Sequence, residues 1–300
     1  MPEERLTKNQ RREAAREAAR VEREQQKRRD TRNKILFRGL VTIVILAILG
    51  GVGWAIYAGT RPAGPGPENM LSDGILLTGE DGEIVPVLTD AIPADGEPVP
   101  TDPDDIDTPL HIVSYVDFFC PVCNAFEQAN AATIDELVAT GDATLEVHPI
   151  SILDRLSLGT EYSTRSANAA ACVASEQPDL FHDFAAAMFA NQPAENTVGL
   201  SDDEIIEVAG TVGADSDEVQ ACIRDGRYED WVAQATERAL TGPLPNADIA
   251  NVQGTPTVIV NGVAYQGAPG DAAAFASFLA QQYPVSESDG TATPTPTPTP

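Results

Sequence analysis

Lysine is missing from most of this chain: its three lysines end at Lys34, and beyond Gly39 only 6 arginines face 39 carboxylates. The bulk of the protein therefore offers no basic face to a polyanion, and no nucleic-acid partner is expected. Histidine is scarce too, and His111, His148 and His182 are scattered. Zinc wants four ligands, and no second Cys-x-x-Cys completes a set, so no metal is expected either. No P-loop, dinucleotide fingerprint or Gly-x-Ser-x-Gly elbow occurs, which removes the machinery of several large enzyme classes. Cysteine is limited to four residues, none of them in the first hundred: Cys120, Cys123, Cys172 and Cys222.

The charge that is present is divided. Through Arg38 the chain holds 13 Lys and Arg against 7 Asp and Glu, a net +6, whereas the rest stands at −33. Between the two signs lies Gly39 to Thr60, without a charge. At about 1.5 Å per residue such a helix spans a ~30 Å hydrocarbon core, so 39–60 is expected to be a transmembrane helix. The basic flank places residues 1–38 in the cytoplasm and the acidic bulk outside. A cleaved signal peptide is the competing reading, but the region before the apolar core is long and no convincing small-x-small cleavage site follows Tyr57. Residues 3–34, with runs such as Arg12-Glu13-Ala14-Ala15-Arg16, read as a solvated helix held by i,i+4 charge pairs. No aromatic residues interleave its basic ones, as nucleic-acid binding would require, and its basic excess suits anionic lipid head groups instead.

From residue 61 to 109 the composition turns to Pro, Gly and Asp, the pattern of an extracytoplasmic linker. Within it, 74–77 and 83–88 are β-prone and can form an edge hairpin through Asp81-Gly82. A dense region opens at Leu110. Residues 112–119 suit a central strand buried on both faces. Cys123, Phe126, Ile134 and Leu137 then share one side of a helical repeat that Gly141 stops, and 144–150 returns as a strand, completing a right-handed βαβ unit. A helical block of about 154–250 follows, with helices over 161–175, 179–191, 201–210, 216–225 and 228–240, the third opened by a Ser201-x-x-Glu204 capping box. Gly254-Thr255-Pro256-Thr257 leads into a strand, an Asn261-Gly262 turn, a return over 263–266 and a closing helix over 271–282. Residues 284–300 end in repeated Thr-Pro, an extended tail.

The organising stretch is Val116-Asp117-Phe118-Phe119-Cys120-Pro121-Val122-Cys123. A strand that delivers Cys120 to the first turn of a helix sets its sulfur against unpaired backbone N–H groups and the positive dipole end, which stabilises a thiolate. Cys123 lies one turn further in, close enough to bond to Cys120 and shielded from outside thiols. The pair reads as a redox dithiol. That pairing leaves Cys172 and Cys222 either to bridge each other, as an oxidising compartment favours, or to lie as two small buried thiols.

A strand opening into Cys-Pro-x-Cys, a helical insertion carrying Cys172 with Phe181-His182-Asp183, and Gly254-Thr255-Pro256-Thr257-Val258 before a hairpin together resemble the DsbA-like thiol:disulfide oxidoreductases of the thioredoxin superfamily. The resemblance covers roughly Leu110 to Tyr283 and implies an α/β thioredoxin fold with a helical insertion, preceded by the single membrane helix. It implies that Cys120 is the nucleophile, Cys123 the resolving thiol, and Pro256 a cis proline packed on the dithiol that frees Thr255 to pair with substrate backbone. No cofactor is implied. The expected partners are exported cysteine-containing proteins and a membrane redox partner, a quinone-linked oxidase.

Two departures from the family pattern bear on strength. Thioredoxin and its close relatives carry a buried carboxylate six residues before the first cysteine, where this chain has Ser114; Asp117 is a candidate for tuning the thiols, or a turn-forming aspartate. The strongly oxidising members have His between the cysteines, where this chain has Pro121-Val122, so a weaker oxidant is expected. The same residues run backwards make a reductase or isomerase fed by a membrane electron donor. A third possibility, from another class, is a metal-binding or passive interaction module built on the Cys-x-x-Cys.

Overall fold

A computed structural model describes residues 64–94 and 96–284. The described residues belong to the second of two units, Ala63–Pro300. The basic segment, the expected membrane helix at 39–60 and all but the first residue of the Thr-Pro tail lie outside the described residues. Among the described residues no helix is long and apolar enough to cross a membrane.

The second unit is built on one six-stranded sheet, in the order β2-β1-β4-β3-β5-β6. Its centre is the expected βαβ unit. Strand β3 (Leu110–Val116) leads through helix α1 (Pro121–Ala139) to β4 (Ala143–Pro149), and β3 and β4 pair in parallel from Leu110↔Ala143 to Val116↔Pro149. Every residue of β4 is buried, as a strand covered on both faces requires. Helix α1 ends at Thr140, and Gly141 then takes φ +78°, with the Asp142 N–H returning to Leu137 O at 2.8 Å. Glycine reaches that left-handed conformation without a Cβ clash, which is why the helix stops there.

Helices α2 (Tyr162–Glu176), α3 (Phe181–Ala190), α4 (Asp202–Gly210), α5 (Asp217–Arg224) and α6 (Glu229–Thr241) form the insertion between β4 and β5. They match the five expected helices to within two residues. Helix α2 is its axis: Ala167 and Ala169 to Ala171 are fully buried, small enough for α3, α5 and α6 to pack closely against it. Both halves of the Ser201/Glu204 capping box are present on α4. Strand β5 (Thr257–Val260) then pairs antiparallel with β3, and Asn261 (φ +47°) and Gly262 (φ +83°) turn it into β6 (Val263–Ala264), shorter than the expected 263–266. Helix α7 (Ala272–Gln282) closes the fold against α1.

Two expectations are corrected. The strand of 112–119 ends at Val116, because the Asp117 carboxylate takes the Phe119 N–H at 2.9 Å and turns the chain before Cys120. More consequentially, the stretch 61–109 is not simply linker. Strand β1 (Ile75–Glu80) lies inside the sheet, antiparallel to β4 on one side and to β2 (Glu83–Pro86) on the other. Met70, Ile75 and Leu77 are buried in the main core, and Asp73 forms a bidentate pair with Arg238 of α6 at 2.6 and 2.7 Å. The hairpin was legible; its burial was not, since Pro, Gly and Asp surround it.

Candidate active site

The site begins where β3 ends. Val116, Phe118 and Phe119 are buried, with Phe119 edge-on to Tyr162 of the insertion at 5.0 Å between ring centres. Burial of these rings fixes the turn that carries Cys120 to the N-cap of α1, and Pro121 occupies the first helical position, where its missing N–H costs no helical bond. Cys120 and Cys123 are free thiols, 6% and 2% exposed. Cys120 is therefore the more accessible residue of the two.

Their chemistry differs accordingly. The Cys120 pKa is lowered to about 6, chiefly by the hydrogen bond from the Cys123 thiol, with the backbone N–H groups of Cys123 and Val122 adding to it against the opposing effect of burial. Burial pushes the Cys123 thiol up, and its neighbour Cys120 pushes it further. One cysteine is thus held as thiolate near neutrality while the other stays protonated. Lacking an imidazole between the cysteines, this chain stabilises Cys120 with a neighbouring thiol and a helix start instead.

The loop before β5 comes up against Cys120. The Thr255–Pro256 bond is cis, and the Cys120 thiol donates to Thr255 O at 3.3 Å. The Thr255 hydroxyl is buried without a partner. A second cis bond, Gly242–Pro243, was not anticipated.

Asp117 is fully buried and is placed differently from a thiol-tuning carboxylate. Its oxygens accept the backbone N–H groups of Phe119, Ile152 at 2.9 Å and Leu153 at 3.1 Å, so it ties the turn before Cys120 to the loop after β4. What reaches Cys123 from this residue is its backbone N–H. Burial raises the Asp117 carboxyl to about 6 despite those hydrogen bonds. Ser114 is buried on the α1 side of the sheet, beside Phe126 and Ile134.

Cys172 and Cys222 are bonded to each other, across α2 and α5. Both are fully buried and stand in the insertion, apart from the dithiol in sequence and role. Two residues at the site escaped the sequence reading, Asn124 and Gln192. Gln192, just past α3, donates to Phe118 O and Cys120 O, and Asn124, one turn into α1, donates to Gln192 Oε1. A glutamine after a helix end carries no sequence signal for such a role.

With this geometry in view, comparison with known proteins is informative. The Thioredoxin family model matches residues 105–279, more than half of the chain. Oxidised DsbA of Mycobacterium tuberculosis is 28% identical, with a TM-score of 0.50 over 70% of this chain and 90% of that one. Oxidised BdbD of Bacillus subtilis, 17% identical, shares the fold, with a TM-score of 0.51 over 74% of this chain and 98% of that one. The serine/threonine-protein kinase PknE of Mycobacterium tuberculosis is 31% identical over 181 residues, 59% of this chain. The match spans only 30% of that kinase, leaving most of it without a counterpart here. This chain belongs to the thioredoxin family, as a DsbA-like member, and is similar in sequence and fold to thiol:disulfide oxidoreductases.

Proposed function

We propose that the protein is a membrane-anchored oxidase that introduces disulfides into exported proteins through Cys120 and Cys123. The observation that carries this direction is the asymmetry of the pair. A Cys120 pKa lowered to about 6 stabilises the reduced form and makes Cys120 a good leaving group, both of which favour handing a disulfide on to another protein. In the oxidised pair, a substrate thiolate attacks Cys120 Sγ; the Cys120–Cys123 bond breaks and its electrons leave on Cys123, which takes up a proton. A second substrate thiolate then attacks the substrate sulfur of the mixed disulfide and expels Cys120 as thiolate. The substrate loses two electrons and gains one disulfide, and the enzyme ends as the dithiol. A quinone-linked membrane oxidase would accept those two electrons and restore the pair.

The anchor rests on the uncharged 39–60 segment between a basic and an acidic portion, which supports a cytoplasmic N-terminus and an extracytoplasmic domain. The buried Cys172–Cys222 bond fits that compartment. It also takes those two sulfurs out of any metal set with the dithiol, which weighs against a metal-binding module. Refolding of a reduced, disulfide-containing substrate by the purified protein tests the activity: Cys120→Ser abolishes the catalysed rate, and an unchanged rate overturns the proposal. Rapid alkylation of intact cells tests the direction. The oxidase reading expects the pair mostly disulfide-bonded; a pair found mostly as dithiol makes the protein a reductase or isomerase.

A further inference from the structure

One side-chain amide in the insertion holds two backbone carbonyls that bracket the nucleophile. Gln192 Nε2 donates to Phe118 O at 2.9 Å and to Cys120 O at 3.0 Å. The amide therefore spends both of its N–H bonds on the turn that carries Cys120, 72 and 74 residues away in sequence. Its orientation is set from the other end. Asn124 Nδ2 donates to Gln192 Oε1 at 3.3 Å and to Phe189 O at 3.0 Å, and Gln128 Nε2 holds the Asn124 oxygen at 2.8 Å. A flipped amide would set its oxygen against two carbonyl oxygens, so these partners determine which way it points. The Gln192 backbone is anchored in turn to Phe189 O at 3.3 Å, at the end of α3.

We propose that Gln192 is a positioning residue that sets the reactivity of Cys120 from the helical insertion, an inference that rests on the dithiol being the working site. Two effects act together. Carbonyl oxygens carry partial negative charge, and those of Phe118 and Cys120 flank the sulfur-bearing residue; donors bound to them lessen the negative potential a thiolate meets. Cys120 O also accepts the Asn124 N–H at 3.2 Å, the first bond of α1. Fixing that carbonyl fixes the first turn, and with it the Val122 and Cys123 N–H groups that face the Cys120 sulfur. Loss of the amide leaves both carbonyls short of a donor in a half-buried place, and the turn relaxes to find water.

The experiment is the pH dependence of iodoacetamide alkylation of Cys120 in the reduced full-length protein, with thermal unfolding followed in parallel. Gln192→Met keeps length and volume and removes both donors. It raises the alkylation midpoint by about 0.5 to 1 pH unit, so that the rate at a pH below both midpoints falls roughly three- to tenfold. Gln192→Glu raises it further, since it adds an anion as well as losing the donors. Gln281→Met, an exposed glutamine on α7, leaves it in place. Midpoints unmoved in both Gln192 variants overturn the proposal, as does an equal shift in Gln281→Met. Should Gln192→Met fail to fold, Asn124→Ala decides: it frees the amide without deleting its donors, and an intermediate shift supports the proposal while none overturns it. Alkylation needs no disulfide exchange, so a wild-type protein that cannot oxidise a substrate defeats the functional reading without touching this result.

Discussion

Three buried acidic groups in this fold are pushed in different directions, and their partners say why. Asp117 is met only by neutral donors, the backbone N–H groups of Phe119, Ile152 and Leu153 and the Ser163 hydroxyl, which do not offset its burial, and it rises to about 6. The Cys120 thiol falls to about 6 because a neighbouring thiol and a helix start favour its charge. Glu146, on β4, lies well below the usual carboxylate range: burial pushes it up, but hydrogen bonds from His111 and His148, each at 3.2 Å, and from Ser72 outweigh that. A carboxyl depressed on folding contributes stability that is fully present above its unfolded pKa of about 4.3 and is lost as pH falls below it. Asp117 acts with the opposite sign, costing stability as pH rises from about 4 to about 6. Glu146→Gln should therefore lower the urea-unfolding free energy by about 2 to 4 kcal/mol at pH 7, and the deficit should shrink below about pH 4. A deficit that stays constant down to pH 3 would show that packing, not charge, is what Glu146 supplies.

At the scale of elements, the helices were readable because each carries its own signal in adjacent residues. A 3.6-residue apolar repeat, Gly141 at a helix end and the Ser201/Glu204 box are all local. The dithiol and the Thr255-Pro256 loop were readable for the same reason, each being a short motif. What was hidden depends on residues far apart in the chain. Gln192 meets Cys120 only once α3 has packed, and the end of β3 at Val116 is decided by an Asp117 that also binds Ile152 and Leu153. The bridge between α2 and α5 lies between these cases, since four cysteines allow few pairings but do not choose one. It closes a separation of 50 residues around the axis of the insertion, which should restrict the unfolded chain by about 2 to 4 kcal/mol. The double variant Cys172→Ala with Cys222→Ala is expected to lose that much stability in denaturant unfolding under non-reducing conditions. It keeps a reactive Cys120, as judged by alkylation at neutral pH, because the dithiol sits at the start of α1 rather than on the bridged helices. A variant as stable as the parent would mean that the insertion is held by its alanine packing alone.

For the whole molecule, the largest revision concerns where the working domain begins. Composition drew the boundary at Leu110, because the preceding residues look like an acidic, proline-rich spacer. Their apolar residues are few, yet they are the ones that matter: Met70, Ile75, Leu77 and Ile92 are at most 5% exposed. Strand β1 satisfies the outer edge of β4, Asn69 Nδ2 donates to Ala174 O at 2.8 Å, and Asp73 holds both Arg238 and the Trp231 ring N–H. Ser72 adds a donor to Glu146. This segment thus joins the sheet to the insertion, the two parts that the dithiol lies between. Burying four such side chains is worth roughly 6 to 12 kcal/mol before ordering costs, comparable to the ~5–15 kcal/mol net stability of a typical domain. A truncated chain that starts at Leu110 is therefore expected to lose its cooperative unfolding transition and to expose the edge of β4 to aggregation. A chain that starts at Gly64 should unfold cooperatively and retain the reactive thiolate at Cys120. Equal thermal transitions for the two truncations would return the segment to the status of a spacer, and would place the stability of the active site wholly within residues 110–283.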